Sequence, residues 1–191
     1  MFFQSLILLS LAAFGLAAPL NVKRANPCFV TGSVALPAEV AAGLPALQKV
    51  ITCNAAVQVA PGVPDITSGG ISYSSIDFQK STKSPVGFAL SKFTTPADPA
   101  QGDLTSLQNQ LNVYLALEAG VRSQPNSSAL LSKLKGPKFF LQFQIARVKT
   151  AQGAKLSVAD TVEHQLGKVT KNAVGASASE IAQVTALSKQ L

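Results

Sequence analysis

The sequence has no tryptophan, one histidine, one methionine and two cysteines among its 191 residues. A single histidine rules out a His-rich metal site, and a zinc centre is not expected from two cysteines that are better paired with each other. Two cysteines also rule out a disulfide-dense miniprotein. Without tryptophan, neither a carbohydrate-binding module nor a glycosidase with aromatic sugar platforms is expected. Charge is scarce as well: 13% of the residues are charged, about half of the roughly 25% usual in soluble domains. No internal run of about 18 apolar residues accompanies that scarcity, so it does not signal a membrane span. An apolar fraction of 47% excludes intrinsic disorder. The length suits one domain.

The chain opens MFFQSLILLSLAAFGLAA. Its apolar stretch, Leu6 to Leu16, is too short to span a bilayer and has the form of a secretory signal peptide. Gly15 and Ala17 suit the −3 and −1 positions, so residues 1–17 are expected to be removed. Lys23-Arg24 is the one pair of adjacent basic residues in the chain. Residues 18–24 therefore read as a pro-segment ending at a dibasic processing site, and residues 25–191 as a single secreted domain. Losing Lys23 and Arg24, with no acid in that segment, lowers the formal charge from +7 to +5. Cys28 and Cys53 both remain, and in an oxidising compartment they are expected to form one disulfide. Closing that loop is worth about 3 kcal/mol on the chain-entropy estimate. Asn126-Ser127-Ser128 is an N-glycosylation sequon, placed by Pro125 at an exposed turn.

Periodicity organises the rest. From Pro37 to Cys53, Val40, Leu44, Leu47 and Ile51 step as on a helix, interrupted by Gly43 and Pro45. Runs rich in β-branched and aromatic residues predict strands at 55–60, 70–78 and 86–94, with turn chemistry in PGVPD, SGG and KSTKSP. Asp103 is a candidate cap for a helix with Leu104, Leu107, Leu111, Tyr114 and Leu115 on one face, ending near Gly120. A short helix is expected at 127–135. Phe139, Leu141, Phe143 and Ile145 then alternate with more polar positions, which predicts a fourth strand. Ser157/Asp160 and Ser177/Glu180 have capping-box spacing. They are expected to open helices carrying Val158, Val162, Leu166 and Val169, and Ile181, Val184, Leu187 and Leu191, separated by Gly175. The order α-βββ-αα-β-αα predicts an α+β domain: a mainly antiparallel sheet of about four strands covered by helices.

Searching this framework for chemistry yields little. His164 sits away from its helix's apolar face with Asp160 and Lys168 at i−4 and i+4, the arrangement of a paired surface histidine. Gly175-Ala176-Ser177-Ala178-Ser179 lacks the last glycine of a nucleophile elbow, and Ser177 is better explained as a cap. Asp98 to Asp103 has no EF-hand spacing. Asp65 and Asp77 form a conceivable glycosidase pair, but Asp65 reads as a turn residue after Pro64 and Asp77 as a polar strand position. Lys133, Lys135 and Lys138 cluster around Gly136-Pro137, and Lys80 and Lys83 share a turn. These read as solvated lysines, with anionic lipid or polysaccharide the functional option. Scarce arginine and no interleaved aromatics argue against nucleic acid. The phenylalanines at 139–143 read as sheet core, with a lipid pocket the alternative. No catalytic residue, metal ligand or cofactor site is assigned.

The signal, the Lys23-Arg24 site, Cys28, the segment ALQKVITC ending at Cys53, and the strings GPKFFLQFQ and LGKVTKNA together resemble a group of uncharacterised fungal small secreted proteins, candidate effectors. The resemblance implies an extracellular fungal protein acting at host or cell-wall surfaces, and it carries over no site residues. The expected function is that of a non-enzymatic extracellular interaction protein. The alternatives are a carrier of lipid or another small hydrophobe, and a carboxylate-based hydrolase. An apolar cavity would favour the carrier, facing carboxylates with raised pKa values the hydrolase, and a solid core with an exposed patch the interaction protein.

Overall fold

A computed structural model describes residues 26–191. The signal peptide with Ala17, the pro-segment and Lys23-Arg24 lie outside the described residues. Six α-helices and one three-stranded antiparallel sheet make up a single mixed α/β domain among the described residues. The helices are α1 (Ala38–Leu47), α2 (Pro85–Lys92), α3 (Leu104–Arg122), α4 (Ser128–Ala151), α5 (Val162–Lys171) and α6 (Ala178–Leu187), and the strands are β1 (Ile51–Ala60), β2 (Val63–Ser68) and β3 (Ile71–Ser72).

Glycine sets both sheet turns. Gly62 has φ +71° between β1 and β2. Gly69 and Gly70 have φ +54° and +81° between β2 and β3, the paired positive values of a tight hairpin turn. The sheet order is β1-β2-β3. A Cys28–Cys53 disulfide, with Cα atoms 6.0 Å apart, ties the N-terminal segment to β1, so Cys53 lies in a strand and not at the end of a helix.

The sheet has three strands rather than about four, and two expected strands are helical. Residues 85–92 form α2 because Ser84 accepts a bond from the Gly87 N–H at 2.9 Å and Pro85 takes the first turn. Residues 139–146 belong to α4, a 24-residue helix that runs through Pro137. Its central residues are buried almost all round by α3, α2 and α5, so no polar stripe marks the helical period and the alternation of 139–145 imitates a strand. Of the run 70–78, only Ile71–Ser72 is strand, followed by 3-10 turns. The PGVPD segment contains the turn at Pro61-Gly62 and also the start of β2.

Local capping signals fare better. Asp103 caps α3 through the Ser106 N–H at 3.0 Å, and Ser177 with Glu180 forms a complete capping box on α6. Ser157 instead donates its hydroxyl to Asp160 at 2.7 Å, Thr161 caps α5, and Val158 is 84% exposed in the preceding turn. Gly120 lies inside α3, where a Cβ would meet the Phe29 carbonyl oxygen at 2.6 Å and Val63 at 2.8 Å. Its role is close approach. The core centres on Tyr114, whose ring lies 5.6 Å from Tyr73 and 5.7 Å from Phe93, and whose hydroxyl donates to the Ile76 carbonyl at 2.8 Å.

Candidate functional site: a charged cleft between three helices

Helices α3 and α4 are joined by a short turn and pack as a hairpin. That pairing brings Glu118 of α3 against Lys138 of α4, with the Lys138 ammonium 2.7 Å from Glu118 Oε2. Arg122, one helical turn after Glu118, donates from Nε at 3.1 Å and from a terminal nitrogen at 2.9 Å to the other carboxylate oxygen. Both Glu118 oxygens are thus held by cations, and the Glu118 and Lys138 side chains are only 6% and 10% exposed. Burial pushes the Glu118 carboxyl up, but Lys138 and Arg122 outweigh it and hold it below the ordinary range. Burial lowers the Lys138 ammonium. Glu118 opposes that shift, while the like charges of Arg122 and Lys135 add to it. One carboxylate serves two cations, and positive charge is in excess.

This triad borders a cleft of about 710 Å³ between α1, α3 and α4, reached also by Lys168 of α5. The size is in the range that accepts a small organic ligand. Val40, Leu47, Leu115 and Phe139 supply apolar wall. The Lys138 ammonium stands 4.5 Å from the centre of the Phe139 ring and that of Lys168 5.8 Å from it. Phe139 therefore faces the cleft, while Phe140 and Phe143 are fully buried in the core.

The residues singled out from the sequence fall in separate places. Lys135 and Lys138 line the cleft, whereas Lys133 joins Lys83 in a smaller hollow of about 360 Å³ beside α2. Lys80 pairs with Asp77 at 4.0 Å. Asp65 is a buried β2 residue and not a turn residue; it accepts the Ser74 N–H and hydroxyl at 3.0 and 2.6 Å. Asp77 is buried too, capping a 3-10 turn and accepting the Tyr73 hydroxyl at 2.8 Å and the Gln79 N–H at 2.9 Å. Both carboxylates are occupied by local hydrogen bonds. Burial, with Tyr114 and Asp77 nearby, raises the Tyr73 hydroxyl far above its ordinary value and keeps it a neutral donor.

His164 is exposed on α5 but is not ion-paired with Asp160, which lies outside the helix and takes the Ser157 hydroxyl. Asn126 is exposed in the α3–α4 turn at φ +59°, a conformation asparagine tolerates. Among the described residues, no group of three His, Cys, Asp or Glu side chains is placed to hold a metal, and no helix is long and apolar enough to cross a membrane. The Glu118–Arg122 spacing was visible in the sequence as an i,i+4 pair. Lys138, twenty positions away from Glu118, carried no such signal.

A family model described as a domain of unknown function (DUF7143) matches residues 30–191, and the chain belongs to that family. No curated protein and no solved structure matches it.

Proposed function

We propose that this chain is a secreted, non-enzymatic protein that binds a small, largely apolar molecule in the cleft between α1, α3 and α4. The cleft itself carries the reading: about 710 Å³ with apolar walls and one half-buried aromatic ring. A carboxylate hydrolase is less well supported, because Glu118, Asp65 and Asp77 are each committed to donors and the Glu118 pKa is lowered, not raised. Secretion rests on the N-terminal pattern and on the disulfide, a bond that persists in oxidising compartments. The family match, which starts at residue 30, leaves the leader-like segment outside it.

The test is titration with the neutral fluorophore N-phenyl-1-naphthylamine. Saturable binding to the native protein is expected, weakened in Leu115→Trp, which narrows the cleft. Absence of saturable binding, or binding indifferent to Leu115→Trp in a folded variant, overturns the reading. Edman sequencing of the product secreted from its own leader should begin at Ala25; a start at Ala18 would show Lys23-Arg24 uncut, and retention inside the cell would overturn secretion.

A further inference from the structure

Resting on that reading of the cleft, we infer that its ligand carries a carboxylate: an anionic head on an apolar body, with the head recognised by the rim lysines Lys135 and Lys168. The charge inventory points this way. Four cationic side chains, Arg122, Lys135, Lys138 and Lys168, border the cleft against two carboxylates, Glu39 and Glu118. Glu118 is fully engaged by Arg122 and Lys138. No carboxylate lies within ion-pair distance of Lys135 or Lys168 among the described residues. Two lysines outside ion-pair distance of any carboxylate thus face a hollow that also presents Gln108, Asn112 and Glu39 beside its aliphatic and aromatic wall.

The kind of cation narrows the head. Arg122 commits its Nε–H and one terminal N–H to Glu118, so that edge of the guanidinium already holds a carboxylate. Lys135 and Lys168 are point charges on flexible stems, and beside Glu118 and the apolar wall a singly charged carboxylate head costs less to desolvate than a doubly charged phosphate. Phe139 places the apolar body next to the head, because the Lys138 and Lys168 ammonium groups lie 4.5 and 5.8 Å from the centre of its ring. A ligand lying on that ring brings an anionic end to the lysines without displacing Glu118. The Lys138 ammonium is lowered chiefly by burial, with Arg122 and Lys135 adding to the shift as like charges.

Displacement of the bound neutral fluorophore tests this. Decanoate and 1-decanol share a body and differ in the head, and 2-naphthoate against 2-naphthol repeats the contrast with an aromatic body. Decanoate is expected to displace the probe at about tenfold lower concentration than decanol, since each ion pair at a half-exposed rim contributes modestly. The double variant Lys135→Gln/Lys168→Gln should erase most of that advantage and leave decanol displacement unchanged. Lys155→Gln, on an exposed loop outside the cleft, should retain it. Raising salt to about 0.5 M should shrink it in the native protein. The naphthalene pair shows whether an acyl or an aromatic acid is preferred. Equal displacement by acid and alcohol, or an advantage that survives the double variant, overturns the carboxylate assignment while the cleft remains a binding site. A protein that never binds the probe refutes the cleft reading and this inference together.

Discussion

Helix α4 buries two cations nine positions apart, Lys138 and Arg147, and answers them differently. Each has a phenylalanine ring nearby, Phe139 at 4.5 Å and Phe143 at 5.8 Å. Lys138 meets a carboxylate and borders a cleft. Arg147, 1% exposed, meets only neutral acceptors: Gln144 Oε1 at 2.6 Å, Thr95 Oγ1 at 3.2 Å and the Gln190 carbonyl at 2.9 Å. Gln144 in turn donates to the Phe93 carbonyl at 2.7 Å. The Arg147 network clamps the segment after α2 and the segment after α6 onto α4, and burial lowers the guanidinium without a carboxylate to oppose it. A sealed cation held by backbone and amide oxygens is a fixed joint. A cation at the edge of a hollow, sharing its carboxylate with a second cation, has spare attraction for an anion. The same helix thus supplies a fastening near its C-terminus and, near its middle, a wall of the cleft proposed above as a binding site.

Arg147→Ala should have the largest effect. It leaves three acceptors without their donor in a site that water cannot easily enter, and it opens a cavity where the stem packed. A loss of about 4 kcal/mol is expected, read as a drop in the urea midpoint, with fluorophore binding preserved under conditions where the variant is folded. A loss below about 1 kcal/mol would show that the clamp is incidental.

Glu118→Gln comes next. Lys138 and Arg122 lose their counter-charge, but the cleft lets water replace part of it. The expected cost is about 2 kcal/mol, less than the 3–5 typical of a fully sealed pair. Adding Lys138→Met should recover much of that loss, and a double-mutant cycle measures the coupling. A cost equal to that of Arg147→Ala would break the contrast between the open and the sealed cation. The same pair sets a pH dependence. The folded Glu118 carboxyl titrates below its unfolded value, so its contribution is complete above about 4.3 and is lost as pH falls through the folded value. Urea midpoints of the native chain and Glu118→Gln should therefore converge as the pH is lowered from about 6 to 3.

What the sequence made legible followed the range of the interactions. Asp103 and the Ser177/Glu180 box act within one turn and were readable as caps. The disulfide followed from there being only two cysteines. Ser84-Pro85 was an equally local start signal, but the aromatic and β-branched residues of 86–94 masked it. Helix α4 failed for a different reason: being central, it buries Gln144 and Arg147 along with Phe140 and Phe143, and amphipathic period disappears when both faces are inside. The cleft was less legible still. Its Glu118–Lys138 pair needs the α3–α4 hairpin, and that hairpin was hidden once the centre of α4 read as a strand. Asp65 read as a turn residue because Pro64 precedes it, and Asp77 as the polar position of a strand, whereas serine, tyrosine and backbone donors make the burial of both tolerable.

The smallest effect concerns the two rings. Phe143 is fully buried beside Arg147, and Phe143→Leu removes core volume, so a loss of about 1.5 kcal/mol is expected. Phe139 is half-buried at the cleft, flanked by Lys138 and Lys168. Phe139→Leu keeps an apolar side chain and forfeits only the ring's attraction for two partly hydrated ammonium groups, about 0.5 kcal/mol. Thermal unfolding should barely separate Phe139→Leu from the native chain, while N-phenyl-1-naphthylamine binding should weaken several-fold because the flat surface under the ligand is gone. Phe143→Leu should show the reverse pattern: a clear loss of stability with binding intact. If Phe139→Leu proved the more destabilising, its ring would be core rather than cleft wall, and the distinction between the open and the sealed cation of α4 would fail at the residue where it is most finely drawn.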